Sequence, residues 1–278
     1  MYRRLGKTAR ALAVGFICVI CIGCIAVPVT GVKRDRDVVY TPESWPEKLV
    51  ADVYRQQGDR LAPAVLLVHG GGMRAGGARL QMNGIAAKLA KRGYVVMNVT
   101  YRSIPNYQYP APVDDLRQAL KWMRMHAAEY RIDKRRIATF GYSAGGYLAT
   151  LVALQYPPGK EQVRAIVAGG SPFDLTFYSG GNLIPTYLGG TLDDIPEIYD
   201  EASPVNYVNR HMPPIFIYHG STDRMVRPEH ALLMEQTCRR EGASYELHWL
   251  HGHGHVGAFL FSGQVVDKAI DFLDREMK

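Results

Sequence analysis

Residues 137–148 read Ile137-Ala138-Thr139-Phe140-Gly141-Tyr142-Ser143-Ala144-Gly145-Gly146-Tyr147-Leu148. A short apolar run breaks into Gly-x-Ser-x-Gly and then becomes helix-compatible, with small residues at its start. This is the pattern of a strand that turns sharply into a helix with a serine at the bend. Gly141 and Gly145 flank the bend because a side chain there would collide with the turning backbone. Ser143 is expected at the tip, strained and exposed, ahead of a helix N-terminus that favours negative charge. A glycine-rich turn that happens to contain serine has the same five letters, so the partners of the serine must decide.

The rest of the chain alternates around this bend. Ala64-Val65-Leu66-Leu67-Val68 is a continuous aliphatic run, as expected of a strand buried on both faces, and it ends in His69-Gly70-Gly71-Gly72. Further strands are expected at Val38–Thr41, Leu49–Tyr54 (interrupted by Asp52), Tyr94–Tyr101, Ile137–Phe140, Val163–Ala168, Ile215–Tyr218 and Tyr245–Leu250. Helices are expected over 83–92, 112–130, 144–156, 228–241 and 262–276. In the second of these, Leu116, Leu120, Met123 and Ala127 form an apolar stripe at spacings of three and four. Strand after helix after strand predicts an α/β domain over 38–278: a mainly parallel central sheet with helices on both faces. An irregular Gly- and Pro-containing stretch, 171–210, is read as a small lid over the strand ends, where ligands bind in such sheets.

At 278 residues the chain can bury a large core. Its net charge of +7 is local in origin: Arg3, Arg4, Lys7 and Arg10 precede any acid, and removing 1–23 leaves 7 − 4 = +3. No basic, aromatic-interleaved run follows, so nucleic acid is not an expected partner. The basic start and the uncharged run Ala11–Val27 read as a targeting segment, 1–23. Ile22-Gly23-Cys24 resembles a bacterial lipoprotein processing site, with Cys24 the lipidated residue and 24–37 a polar tether. An uncleaved anchor is the alternative, the run being close to the ~18 residues that span a bilayer. Ordinary secretion is a further alternative; in every case the body is expected to be exported, and the lipid or the anchor would tether it to the membrane. Beyond Cys24 only Cys238 remains, so the body forms no internal disulfide if Cys24 is lipidated.

A serine hydroxyl barely ionises at neutral pH, so a nucleophile needs a base beside it and an acid to orient that base. Following this type of bend, the acid comes next in the chain and the histidine last. Asp223, in Tyr218-His219-Gly220-Ser221-Thr222-Asp223, lies just past an apolar strand and is the candidate acid. A turn or N-cap aspartate would suit the same neighbours. Three histidines compete in His251-Gly252-His253-Gly254-His255-Val256-Gly257. His255 ends the glycine-rich turn and lies 32 residues past Asp223, room for one helix and one strand; His253 is the second candidate. Alternating histidines also suggest a metal, but no acid or cysteine lies within the loop to complete a ligand set, and no cofactor is expected. Gly70-Gly71-Gly72 and the amide of Ala144 can supply backbone donors to a developing oxyanion, and no Gly-Lys-Ser/Thr follows to favour a phosphate.

These motifs occur in the order seen in α/β-hydrolase carboxylesterases. His69-Gly70-Gly71-Gly72, Tyr101-Arg102 with Pro110 beyond, Asp114-Asp115, Gly141-Tyr142-Ser143-Ala144-Gly145-Gly146, Gly220-Ser221-Thr222-Asp223 and Gly254-His255 carry the resemblance, over about 38–275. Leu188-Gly189-Gly190-Thr191 and Ala202-Ser203-Pro204 add to it. The chain resembles the branch related to hormone-sensitive lipase and to bacterial acetyl-xylan and feruloyl esterases. The resemblance implies Ser143, Asp223 and His255 as a catalytic triad, and the amides of Gly71, Gly72 and Ala144 as the oxyanion hole. It further implies short-chain acyl esters as substrates, including acetyl groups on polysaccharides. Relatives often have histidine or glutamate where this chain has Asn106 and Tyr107, and no counterpart of the large N-terminal cap is seen. A peptidase or amidase on the same fold, and a binding module on an inactive scaffold, are the competing expectations. Tyr107, Tyr109, Phe173, Phe177, Tyr178 and Tyr187 are candidates for lining a substrate site, against the plainer role of packing.

Overall fold

Among the described residues, eight strands build one sheet: β1 (Val32–Val39), β2 (Val50–Gln56), β3 (Ala62–Val68), β4 (Val95–Val99), β5 (Ile132–Tyr142), β6 (Ala165–Gly169), β7 (Ile215–Gly220) and β8 (Tyr245–Leu250). The computed structural model describes residues 31–74, 78–155, 159, 162–178 and 181–277. The strand order is β1-β2-β4-β3-β5-β6-β7-β8. β1 and β2 are antiparallel to each other, β2 is antiparallel to β4, and every pair from β4 to β8 is parallel. The segments read as the targeting run, with Cys24, lie outside the described residues. Among those described, no helix is long and apolar enough to cross a membrane.

Helices α1 (Asn83–Lys91), α2 (Ala111–Met125), α3 (Ala127–Tyr130), α4 (Ala144–Gln155), α5 (Leu183–Leu188), α6 (Pro196–Glu201), α7 (Glu229–Glu241), α8 (His255–Leu260) and α9 (Gly263–Glu276) join the strands. Their packing explains the unbroken apolar run of β3. Ala64, Leu66 and Val68 face a core shared with α2 and α4, while Val65 and Leu67 face a second core shared with α1 and α9. Both faces are therefore dry, and the strand has no polar side to show. α4 is buried from Ala144 to Ala153, and its threonine costs nothing in unpaired polarity because Thr150 Oγ1 donates to the Gly146 carbonyl at 2.8 Å.

The structure corrects one boundary. Val32–Asp37, read as the end of a tether, is the greater part of β1. An edge strand tolerates this composition because only one of its sides is paired. Its charges are matched by its neighbours: Arg34 Nη2 lies 2.6 Å from Asp52, Arg55 3.0 Å from Asp35 and Arg79 2.6 Å from Asp37. Asp52, which looked like a break in β2, is the fully buried carboxylate of that cluster. The predicted helix over 112–130 is two helices, parted at His126.

The stretch 171–210 packs as part of the molecule. Phe173, Leu175, Ile184, Tyr187, Leu188, Tyr199 and Ala202 are buried in the α2–α4 core. Tyr187 sets its ring edge-on to Tyr147 of α4 at 6.1 Å, and its carbonyl accepts the Tyr109 amide at 2.9 Å. Leu183 comes within 3.9 Å of the position a Cβ on Gly72 would take, so α5 borders the glycine loop.

The segment after β4 is held by a buried ion pair. Arg102 Nε donates to both carboxylate oxygens of Asp115, at 2.9 and 3.1 Å, and the Arg102 amide and Trp45 Nε1 donate to the same group at 2.8 Å each. Removing the acid would leave a buried guanidinium unmatched. Asp115→Ala is expected to lower unfolding free energy by about 3–5 kcal/mol, read from urea denaturation.

Candidate active site

Ser143 stands between the last residue of β5 and the first of α4 with φ = 56°, a left-handed conformation that non-glycine residues adopt only at some cost. Its neighbours make the bend possible. A Cβ on Gly141 would sit 2.2 Å from the Gly145 carbonyl oxygen, and one on Gly145 would sit 2.2 Å from that of Val68. The strand end, the helix start and the loop after β3 thus meet backbone to backbone. The Ser143 amide donates to the Gly169 carbonyl at 2.7 Å, tying the bend to β6 as well.

The three side chains named from sequence converge here. Ser143 Oγ donates to His255 Nε2 at 2.8 Å, and His255 Nδ1 donates to Asp223 Oδ2 at 2.6 Å. Asp223 follows β7, and His255 opens α8 after β8, so three strand ends supply one chain of hydrogen bonds. The other carboxylate oxygen accepts the amides of Met225 and Val226, at 2.9 Å each. Burial pushes the Asp223 carboxyl up. The hydrogen bond and charge of His255, with those two amides, outweigh burial and hold it below its ordinary value. Asp223 is therefore an anion throughout the neutral range, as an orienting acid must be.

His253 does not reach the serine. Its Nδ1 contacts the His251 carbonyl at 2.9 Å, and its own carbonyl accepts the Thr222 amide at 3.1 Å. That backbone clamp joins the acid loop to the histidine loop so closely that a Cβ on Gly220 would lie 2.3 Å from the His253 carbonyl oxygen. Among the described residues no group of three His, Cys, Asp or Glu side chains could hold a metal ion.

The glycine loop bends through three successive positive φ values, 127° at Gly71, 63° at Gly72 and 59° at Met73. Among the described residues no hydrogen bond engages the amides of Gly71, Gly72 or Ala144. Unused donors beside Ser143 are what the expected oxyanion hole requires. The base of this loop is fixed by His69, whose ring stacks on Tyr101 with centroids 4.4 Å apart and whose carbonyl accepts the Tyr101 hydroxyl at 2.9 Å.

Several supporting residues carried no signal in the sequence. Tyr142 donates its hydroxyl to the His255 carbonyl at 2.6 Å, which seats α8. His219 is buried beside Asp223, its Nε2 3.6 Å from Oδ2, and donates instead to the Val226 carbonyl at 2.8 Å. His230 of α7 accepts the Phe173 amide at 3.3 Å and lies against Phe177 and Tyr178. Spacing cannot reveal such contacts, since they join Tyr142 of β5 to the start of α8, His219 of β7 to the loop that follows it, and His230 of α7 to the segment after β6. Of the aromatic candidates, Phe173 and Tyr187 are core residues, while Tyr107, Tyr109, Phe177 and Tyr178 remain partly exposed.

The BD-FAE family profile matches residues 51–237, well over half of the chain. The chain belongs to the BD-FAE family. The chain is 29% identical over 262 residues to Esterase LipQ of Mycobacterium tuberculosis, an alignment covering 86% of this chain and 62% of LipQ. It is 30% identical over 227 residues to Esterase LipC of the same organism, covering 73% of this chain and 56% of LipC. The chain thus spans about three-fifths of the length of these relatives. A solved truncated carbohydrate esterase from gut microbiota superposes with a TM-score of 0.77 at 23% identity, over 88% of this chain and 96% of that one, and shares the α/β-hydrolase fold.

Three histidines of the BD-FAE chain are buried as neutral rings. Burial lowers His69 from 6.5 to about 4 and His230 from 6.5 to about 3, and lowers His219 as well. Once unfolded, each takes a proton near 6.5 that the folded protein refuses. Stability is therefore full above pH 6.5 and falls as pH drops towards 4, by up to about 1.4 kcal/mol per pH unit for each histidine. Urea midpoints measured between pH 7 and 4 should show this decline, and His230→Gln should make it shallower.

Proposed function

We propose that this protein is a serine carboxylesterase that hydrolyses short acyl esters, acetyl groups on polysaccharides among them. The unbroken hydrogen-bonded chain Ser143–His255–Asp223, at 2.8 and 2.6 Å, carries the reading. Membership of the BD-FAE family and similarity to two proteins named as esterases support it.

In this mechanism Ser143 Oγ attacks the ester carbonyl carbon while its proton passes to His255 Nε2. Asp223 steadies the imidazolium through Nδ1. The carbonyl oxygen gains negative charge and is received by the amides of Gly71, Gly72 and Ala144, the last at the N-terminus of α4, where the helix dipole also favours it. Collapse breaks the bond to the alcohol oxygen, which leaves with the proton from His255. Water then gives a proton to His255, attacks the acyl-enzyme, and releases the acid and the free serine.

Hydrolysis of p-nitrophenyl esters from acetate to palmitate tests this reading. Activity is expected to fall beyond butyrate. Ser143→Ala and His255→Ala should each lose ~10⁴-fold or more in kcat while folding normally. His253→Ala should stay close to wild type. Full turnover by Ser143→Ala would overturn the assignment. The same proposal places the body outside the cytoplasm on a lipidated Cys24. Membrane fractionation should then show Cys24→Ser moving to the soluble fraction, and a variant that stays in the membrane would favour an uncleaved anchor.

A further inference from the structure

Beside the proposed triad, on the side away from the glycine loop, stands an aromatic tier with two polar groups that no hydrogen bond or ion pair among the described residues engages. His230 lies between Phe177 and Tyr178, at 5.0 Å from the first ring and stacked at 5.3 Å on the second. The Arg227 guanidinium sits over Phe177 at 6.0 Å, which orders an otherwise exposed side chain. Among the described residues Arg227 forms no ion pair with a carboxylate, and the half-buried Tyr178 hydroxyl has no hydrogen-bond partner. Asp174, four residues before Tyr178, is taken up by the amide and hydroxyl of Thr176, at 2.9 and 2.6 Å. Arg224, two residues before Val226, is likewise exposed and without an ion pair among the described residues.

The topology says which part of a substrate would meet this tier. The glycine loop follows β3, on one side of β5; Tyr178 follows β6 and Arg227 follows β7, on the other. The alcohol oxygen must take its proton from His255 Nε2, and Asp223 holds His255 from the β7 side. The alcohol portion of the ester therefore extends towards Tyr178 and Arg227. A free guanidinium beside a free phenol hydroxyl matches a carboxylate, since the first pairs with its charge and the second donates to its remaining lone pairs. Burial keeps the phenol a donor, pushed up to about 12. Partly exposed aromatic rings next to them suit the apolar face of a sugar.

Resting on the esterase reading, we propose that Arg227 and Tyr178 form a carboxylate subsite on the alcohol side, so that esters of acidic sugars are the preferred substrates. Two acetylated oligosaccharide series, one of uronic acids (oligogalacturonides) and one neutral (xylo-oligosaccharides), separate the possibilities when hydrolysed by the full chain. Wild type should favour the acidic series. Arg227→Gln should lose ~10-fold in kcat/KM on that series alone, mainly through KM, and Tyr178→Phe should lose less on the same substrates. Raising salt to ~0.5 M should reproduce the Arg227→Gln effect in wild type. No preference in wild type, or an equal loss on both series, overturns the subsite while the esterase reading stands. If no ester is turned over, the esterase reading falls. Calorimetric titration with unacetylated oligogalacturonide then decides the subsite alone: binding weakened by Arg227→Gln supports it, and no binding ends it.

Discussion

The molecule depends on one steric allowance, the absence of side chains where β5 turns into α4. With a Cβ on Gly145 the Val68 carbonyl would be 2.2 Å away, and with one on Gly146 the Ser171 hydroxyl would be 1.9 Å away. Neither backbone nor hydroxyl could yield without moving β3 or the start of the segment after β6. Because the gap is closed by backbone, α4 sinks fully into the sheet, and its N-terminus comes up beneath Ser143. The strained φ of the serine is held by that packing, so the hydroxyl stays presented whether or not a substrate is there.

Charge is handled differently at the two ends of the sheet. At the β1 edge, cations and carboxylates neutralise each other in a network around buried Asp52. At the strand ends the buried carboxylate of Asp223 has two histidines near it but bonds just one. His219 is turned to the Val226 carbonyl, so it braces the loop without competing for the charge that His255 needs. A second imidazole bonded to the carboxylate would weaken its hold on the first.

The sequence was most legible where chemistry and backbone geometry coincide. The bend at Ser143, the aliphatic run of β3 and the aspartate and histidine after β7 and β8 each sit at a place that few other residues could fill, and the structure brings Ser143, His255 and Asp223 within bonding distance. The choice between His253 and His255 was harder, because a two-residue shift in a glycine-rich loop leaves no trace in composition; the direction of α8 settles which ring faces Ser143. The charged strand β1 was misread because an edge position reverses the usual pattern, with pairing partners that lie elsewhere in the chain. Tyr142, His219 and His230 were illegible for the same reason: what each does depends on a partner in another element or loop.

The hydrogen-bonded chain at the centre joins residues 112 and 32 positions apart in sequence. No local element can form any part of it. Helices and strand pairs can therefore be largely complete in a refolding chain while β7 and β8 are still undocked and the serine has no base. On the esterase reading proposed above, recovery of hydrolysis is then a stricter clock of folding than recovery of secondary structure. On that reading, a preparation with native helical content and little activity would contain molecules that have not yet joined the far edge of their sheet.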